Sequence, residues 1–352
     1  MRYSLFGESH GPAIGIVLQG VPSGLDIDTD FIHSEMARRA PGRSPLATAR
    51  NEKDEVRILS GVFEGKTCGT PLCGVIENTD TRSRDYAATR WLARPGHADF
   101  AAHLRYHGFE DYRGGGHFSG RLTAPLVFAG AVAKLALREK GVEVLARIRS
   151  AAGIEDVPLN PARPDVEALR AAGKKNFPVI DDAQGNAMQD AILAARAEGD
   201  SAGGLIECLA LGLPAGLGSP DFDENLESII ARHVFAVPAV KGLSFGAGFA
   251  LASMRGSEAN DVFVPGDTLR TRTNNNGGIN GGISNGMPVV FTVVIKPTPS
   301  IGREQKTVDM RTGEAALLTI TGRHDPCILS RAVPVIEAAC ALAVTEIPGV
   351  LS

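Results

Sequence analysis

Glycine is clustered in this chain, and the clusters limit how it can fold. The 41 glycines concentrate in RGGGHFSG (113–120), SAGG (201–204), GAG (246–248) and NNNGGINGGISNG (274–286). Glycine loses more backbone freedom on folding than any other residue. Runs of it inside ordered sequence therefore mark tight turns or close approach of the backbone to another group. Periodic apolar segments surround these runs, which is not the setting of a flexible linker.

Those segments predict alternating strands and helices. Strands are expected over 13–20, 55–63, 71–78, 142–150, 204–214 and 287–297, with 242–254 extended. Helices are expected over 28–39 with Asp28 as cap, 98–107, 123–141, 187–199, 224–236 and 332–347. The 123–141 helix is the clearest, with Thr123 near its start, Pro125 in its first turn and Gly141 as its stop. Residues 156–165 read as a surface loop, and no fixed-period repeat or linker divides the chain. The expectation is one α+β domain over 1–352, with helices packed on mainly antiparallel sheets.

A net charge of −4 argues against a nucleic-acid binder working through bulk charge. No apolar run is expected to span a membrane, and the N-terminus lacks a signal-peptide core. The five cysteines, Cys68, Cys73, Cys208, Cys327 and Cys340, have no metal-type spacing and read as the reduced thiols of a cytoplasmic protein. Cys327 reads as a small buried filler.

Two histidines stand in turn-forming sequence. His10 lies in GESHG, between Gly7 and Gly11 and beside Ser9; His97 lies in RPGHADF, after Gly96, with Arg94 and Asp99 nearby. Imidazole titrates near neutrality and can donate a proton to a leaving group. Asp99 either orients the His97 ring or caps the following helix. In TGRHDPC (321–327), Asp325 beside Arg323 is either a structural ion pair or a base tuned by its neighbours. The loop 113–125 runs toward a helix N-terminus, an anion site in principle, but it has neither a Walker nor a GxGxxG arrangement. Lys296, Thr298 and Ser300 in IKPTPSIG suit a phosphate or mark a proline-rich strand exit.

Together FGESHG, LSGVFEGKTCGTPL, IENTDTRSRDY, RPGHADF, DYRGGG, VPAGLG, AVKG, NNNGGINGGISNG, KPTPS and GRHDPC…RAVPVIEA resemble the chorismate synthase family, in the family's order from residue 6 to about 344. The resemblance implies a β-α-β sandwich, a homotetramer and conversion of 5-enolpyruvylshikimate-3-phosphate to chorismate. That reaction is a 1,4-elimination of phosphate and a ring proton from opposite faces. It requires reduced FMN without net redox change, and NADPH serves some members as flavin reductant. By resemblance His10 protonates the leaving phosphate, His97 acts on the reduced flavin, and Asp325 helps the flavin accept the substrate proton, with Ser9 and Ser119 in support. Arg39, Arg94, Arg121 and Arg323 match arginines lining the substrate and flavin site. His117, Phe118, Ser119, Ala239, Gly281, Lys296, Pro297, Thr298, Pro299, Ser300 and Arg323 match positions that meet the flavin. No metal, membrane or nucleic-acid partner is implied.

The chain departs from the family pattern in two places. GGGHFSGRLTA stands where GGGRSSARETA is common, so His117 replaces an arginine. RRAPGRSP replaces RRRPGTSR, leaving Pro45 in place of an arginine with Arg43 nearby. A non-catalytic flavin or phosphometabolite binder is the alternative. A flavin oxidoreductase would need a nicotinamide fingerprint, which the sequence lacks.

Overall fold

The fold is described from a computed structural model covering residues 1–42, 54–79, 89–266, 269–320 and 325–351. Strands β1 (Arg2–Gly7), β2 (Ala13–Gln19), β3 (Arg57–Ser60) and β4 (Leu72–Glu77) form one antiparallel sheet, ordered β1-β2-β4-β3. A second antiparallel sheet contains β5 (Glu143–Ala151), β6 (Ile154–Glu155), β7 (Gly204–Leu211), β8 (Val240–Phe245) and β9 (Val289–Ile295), ordered β8-β9-β7-β5-β6. Helices α1 (Thr29–Arg39), α3 (Thr123–Glu139), α6 (Leu226–Phe235) and α7 (Leu329–Glu346) lie between them. Helix α2 (Asp99–Arg105) follows the His97 turn, and α4 (Val166–Gly173) and α5 (Asp182–Ala197) cover the outer face of the second sheet.

Helix α3 packs on β2 and β4, and α7 packs on β5 and β7. The two helices meet where neither has a large side chain: a Cβ on Gly130 would fall 2.2 Å from that of Ala338. Gly74 likewise makes room for the Phe128 ring, which a Cβ there would meet at 2.4 Å. Ile14, Ile16 and Leu18 of β2 face α3, while Ile206 and Cys208 of β7 face α7, so one apolar core runs through the sandwich.

This helical layer explains a departure from expectation. Gly120–Glu139 is long and apolar enough to cross a membrane, but 83% of the stretch is buried in the fold. It is apolar all round because it is covered all round. Other differences are local. The extended segment expected over 242–254 stops at Phe245, where Gly246 and Gly248 take φ of +54° and +56° and a 3₁₀ turn follows. Helix α5 begins at Asp182 instead of 187, and α4 follows the 156–165 loop; Asp181 and Asp165 cap them by accepting from Gln184 N and Ala168 N. Asp28 caps α1 as expected. Helix α7 starts three residues early, with Pro334 inside it.

One charged cluster ties the layers together. Glu337 of α7, 1% exposed, accepts from Arg38 Nη1 and Nη2 at 2.6 and 2.8 Å, from Lys134 of α3, and from the backbone N–H of Ala146 in β5 at 2.9 Å. Glu35 also accepts from Arg38 and Lys134. Burial works to raise the Glu337 carboxyl, but the two cations outweigh it and bring the carboxyl from an ordinary 4.5 down to about 2. The folded-state value lies below the unfolded one, so this contribution is complete above about 4.5 and is lost as pH falls through about 2. Glu337→Gln leaves two buried cations with Glu35 as their one remaining carboxylate in this cluster, and a loss of about 3–5 kcal/mol at neutral pH is expected. Urea unfolding across pH checks both points: the wild-type chain loses stability between about 4.5 and about 2, and the variant shows a smaller change there.

Candidate active site

Parallel packing of α3 and α7 brings both helix N-termini to the same end of the sandwich. Arg39 Nε donates to Thr123 Oγ1 at the start of α3, and Arg331 Nε in the first turn of α7 donates to Arg39 O, each at 3.1 Å. The second sheet presents Ala151, Gly204, Ile295 and Val240 at this end, so Ala239 and Lys296 lie next to each other, joined by Lys296 N–H to Ala239 O at 3.0 Å.

The GESHG segment is the loop joining β1 to β2. Gly7 opens it at φ +95°, where a Cβ would lie 2.3 Å from Ala13 O. Ser9 N–H donates to Gly116 O, and Ser9 Oγ lies 3.1 Å from His10 Nδ1 and from Gly114 O. Ser9 Oγ has carbonyl acceptors at Gly114 and Arg113, so it can accept from His10 Nδ1–H. The neutral His10 ring then carries its hydrogen on Nδ1. His97 is held by ionic partners: its Nδ1 lies 2.7 Å from Asp99 Oδ1, and Arg94 grips both Asp99 oxygens at 2.6 Å. Burial works to raise the Asp99 carboxyl, but hydrogen bonds from Arg94 and His97 together hold it well below the usual range. An ionised Asp99 only accepts, so His97 carries its hydrogen on Nδ1 and also presents Nε2. Asp99 stands in the first turn of α2 without making a capping bond. Of its two expected roles, the structure shows ring orientation.

The glycine loop separates the two imidazoles. Gly114, Gly115 and Gly116 all have positive φ. A Cβ on Gly114 would meet His10 Cε1 at 2.1 Å, and one on Gly115 would meet His97 Cε1 at 3.1 Å. The loop does not run straight into α3. A 3₁₀ turn over Gly120–Leu122 intervenes, and Ser119 Oγ caps it by accepting from Arg121 N–H at 3.3 Å. His117 is exposed; its Nδ1 lies 2.9 Å from Gly7 O, so Nδ1–H donates and Nε2 points elsewhere. Half-exposed Phe118 packs against Tyr106.

From His97 the contacts continue around a circuit. Lys296 Nζ donates to Gly96 O, and Pro299 lies against Gly96. Thr298 Oγ1 donates to Asp325 O at 2.8 Å, and Arg331 donates to Asp325 Oδ2 at 2.8 Å. Beyond Arg331 come Arg39, then fully buried Asp54, then Arg121. Burial works to raise the Asp54 carboxyl, but Arg39 and Arg121 keep it low. Arg121 Nε donates to Asn78 Oδ1, and Asn78 Nδ2 donates to both Glu8 O and Gly11 O, returning to the His10 loop.

Thus Ser9, His10, Arg39, Arg94, His97, Ser119, Arg121, Ala239, Lys296, Thr298, Pro299 and Asp325 come together. Pro297 and Ser300 flank the Thr298–Pro299 pair, with Pro297 exposed. Gly281 does not join them within one chain. It forms the tip of the 279–284 hairpin, and neighbouring Gly278 abuts Pro288, before the start of β9, whereas Lys296 follows its end. Seven strand residues, about 20 Å, separate them. Arg323, Arg43 and Pro45 lie outside the described residues. Asp54, Asn78 and Arg331 were not among the expected site residues. The available signals were a polar residue closing a buried strand at Asn78 and an arginine six residues after Asp325. Cys327, expected as filler, is buried, and burial pushes its thiol up to about 11.

The chain is similar to known proteins along nearly its whole length. Residues 1–347 match the family model described as chorismate synthase. The chorismate synthase of Methanocella arvoryzae is 48% identical over 98% of this chain and 91% of its own length. Those of Aeropyrum pernix and Thermococcus kodakarensis are 46% and 44% identical, each over 98% of this chain and over 90% and 95% of their own. A crystal structure of chorismate synthase superposes with a TM-score of 0.76 at 27% identity, covering 97% of this chain and 89% of that one. With its α+β sandwich and the whole length of its sequence in agreement, this chain belongs to the chorismate synthase family, lyases of the shikimate pathway.

Proposed function

We propose that the chain performs the full chorismate synthase reaction with the residues gathered at the α3 and α7 N-termini. The substrate is 5-enolpyruvylshikimate-3-phosphate, which loses phosphate and a ring proton to give chorismate. The observation that carries this reading is the pair of imidazoles on either side of Gly114 and Gly115, each oriented through Nδ1 by a holding group. A binding protein needs anion-binding groups but no proton donors.

The roles divide by position. Buried Arg39 and Arg121 bind the substrate's anionic groups, and Arg94 holds Asp99 against His97. Arg323 joins the substrate arginines by resemblance. His10 acts as the imidazolium: it gives the Nε2 proton to the departing phosphate oxygen and returns to the neutral ring with its hydrogen on Nδ1. His97 Nε2 holds a proton on the cofactor side of the loop, and the Asp325 carboxylate, fixed by Arg331, provides an acceptor there. Ser9 orients His10, and Ser119 fixes the turn carrying Arg121.

The donor chemistry fits FMN. The Lys296 ammonium and the Thr298 and Ser300 hydroxyls follow one strand exit and suit a phosphate, with Pro297 and Pro299 stiffening the segment. Ala239, at φ +74°, lies beside Lys296, while His117, Phe118 and Ser119 line the glycine loop's outer end. Bound reduced FMN supplies the electron-rich group that lets phosphate leave and the ring proton be taken without net redox change. Gly281 reaches such a site only from a second copy, which supports the homotetramer. The continuous core supports one domain over 1–352, the burial of α3 accounts for its apolar length, and the biosynthetic role of the family supports a cytoplasmic enzyme. NADPH is the reductant to test.

An anaerobic assay with chemically reduced FMN and the substrate, following chorismate and phosphate, tests the reading. Product without NADPH supports it; no product despite bound FMN overturns it in favour of a binding protein. A second run with oxidised FMN and NADPH identifies the reductant. His10→Ala and His97→Ala are each expected to slow turnover by about 10²–10⁴-fold while FMN still binds, measured by steady-state kinetics and flavin titration. His117→Ala is expected to weaken FMN binding. Unchanged affinity across about pH 6 to 8, the range in which imidazole charge changes, would remove His117 from the flavin site.

A further inference from the structure

We propose that Asn78 is a positioning residue for His10, fixing the proton donor's loop to the anion-binding Arg121. This rests on reading His10 as the proton donor.

Asn78 directly follows β4, and its carboxamide spans three groups. Nδ2 donates to Glu8 O at 3.0 Å and Gly11 O at 2.9 Å, the carbonyls on either side of Ser9 and His10. Oδ1 accepts from Arg121 Nε at 3.2 Å. The amide's orientation follows from chemistry: carbonyls only accept and a guanidinium only donates, so the reverse rotamer satisfies none of the three. Asn78 N–H also donates to Pro12 O at 3.1 Å, anchoring the residue to the start of β2.

Arg121 is itself fixed. Its Nη1 donates to one oxygen of Asp54, whose other oxygen accepts from Arg39 Nη1 at 2.7 Å. Arg39 is held further by Thr123 and Gly120 O. The buried Asp54 unit is therefore a rigid base, and Asn78 connects it to the His10 loop. Ser9 joins the same loop to the glycine loop independently, so losing Asn78 removes the tie to Arg121 without opening the fold. Displacement of a catalytic group by about 1 Å can cost about 10²-fold in rate.

Asn78→Asp separates the two arms. The carboxylate still accepts from Arg121 but places oxygen against two carbonyl oxygens, disturbing the His10 loop. Asn78→Ala removes both arms. In Asn78→Asp, kcat is expected to fall about 10–100-fold while KM for the substrate stays within about threefold. In Asn78→Ala, kcat falls and KM rises. FMN affinity is retained in both. Histidine-ring NMR, assigned with His10→Gln, is expected to show the His10 signal moving in both variants and the His97 signal unmoved. Three results would overturn the proposal: kcat in Asn78→Asp within about twofold of wild type, an unmoved His10 signal, or equal movement of both rings, which indicates general loosening. If the wild-type enzyme makes no chorismate, the functional reading fails, and the NMR comparison still decides whether Asn78 holds His10.

Discussion

Gly130 lets α3 come within backbone distance of α7, and the placement of the site depends on that contact. Because the helices run parallel, their N-termini share one end of the sandwich, where the partial positive charges of both add. Arg39, Arg121 and Arg331 stand at the same end. A chain of net charge −4 thereby concentrates positive potential at one end, as the proposed site for an anionic substrate requires. Antiparallel helices would divide that field between the two ends and separate Arg331 from Arg39.

Close helix packing also accounts for the charge buried in the core. Lys134 and Arg38 enter the helical layer from different elements, and Glu337 receives both with a backbone N–H from β5. Isolated, each charge would be costly to bury; together they satisfy one another and select one arrangement of α1, α3, α7 and the second sheet. The Asp54 unit repeats this arrangement nearer the surface, with one buried carboxylate between two guanidiniums. In that unit one carboxylate offsets only part of the charge of two guanidiniums, so a net positive charge stays at this end of the sandwich.

The sequence made the element types legible because period and caps agree: Asp28 begins α1, and Thr123 and Gly141 bracket α3. Ends were less legible where a cap lay among other polar residues, as with Asp181 and Asp165, or where glycines broke an apolar run after Phe245. Ser9, His10, His97 and Lys296 were visible through chemistry confined to their own short segments. Asn78 acts only through partners 40 or more residues away, while Asp54 joins Arg39 to distant Arg121 and Arg331 joins Asp325 to distant Arg39. Local spacing carries no trace of such contacts. Gly281 shows a different limit, since its motif matches the family while the hairpin carrying it lies at the other end of β9 from Lys296.

The paired histidines follow from the loop between them. Each imidazole uses Nδ1 to be held, His10 by a serine backed by carbonyls and His97 by a carboxylate backed by Arg94. Holding Nδ1 fixes the tautomer of the neutral ring, and the two holders can be tuned independently. Gly114 and Gly115 allow one strip of backbone to pack against both rings, because a side chain at either position would press on one of them. A reaction that removes phosphate and a proton from opposite faces of a ring needs its proton handling at two places a fixed distance apart. Here backbone, braced by Ser9 on one side and the Asp111 carbonyl against Gly116 on the other, sets that distance.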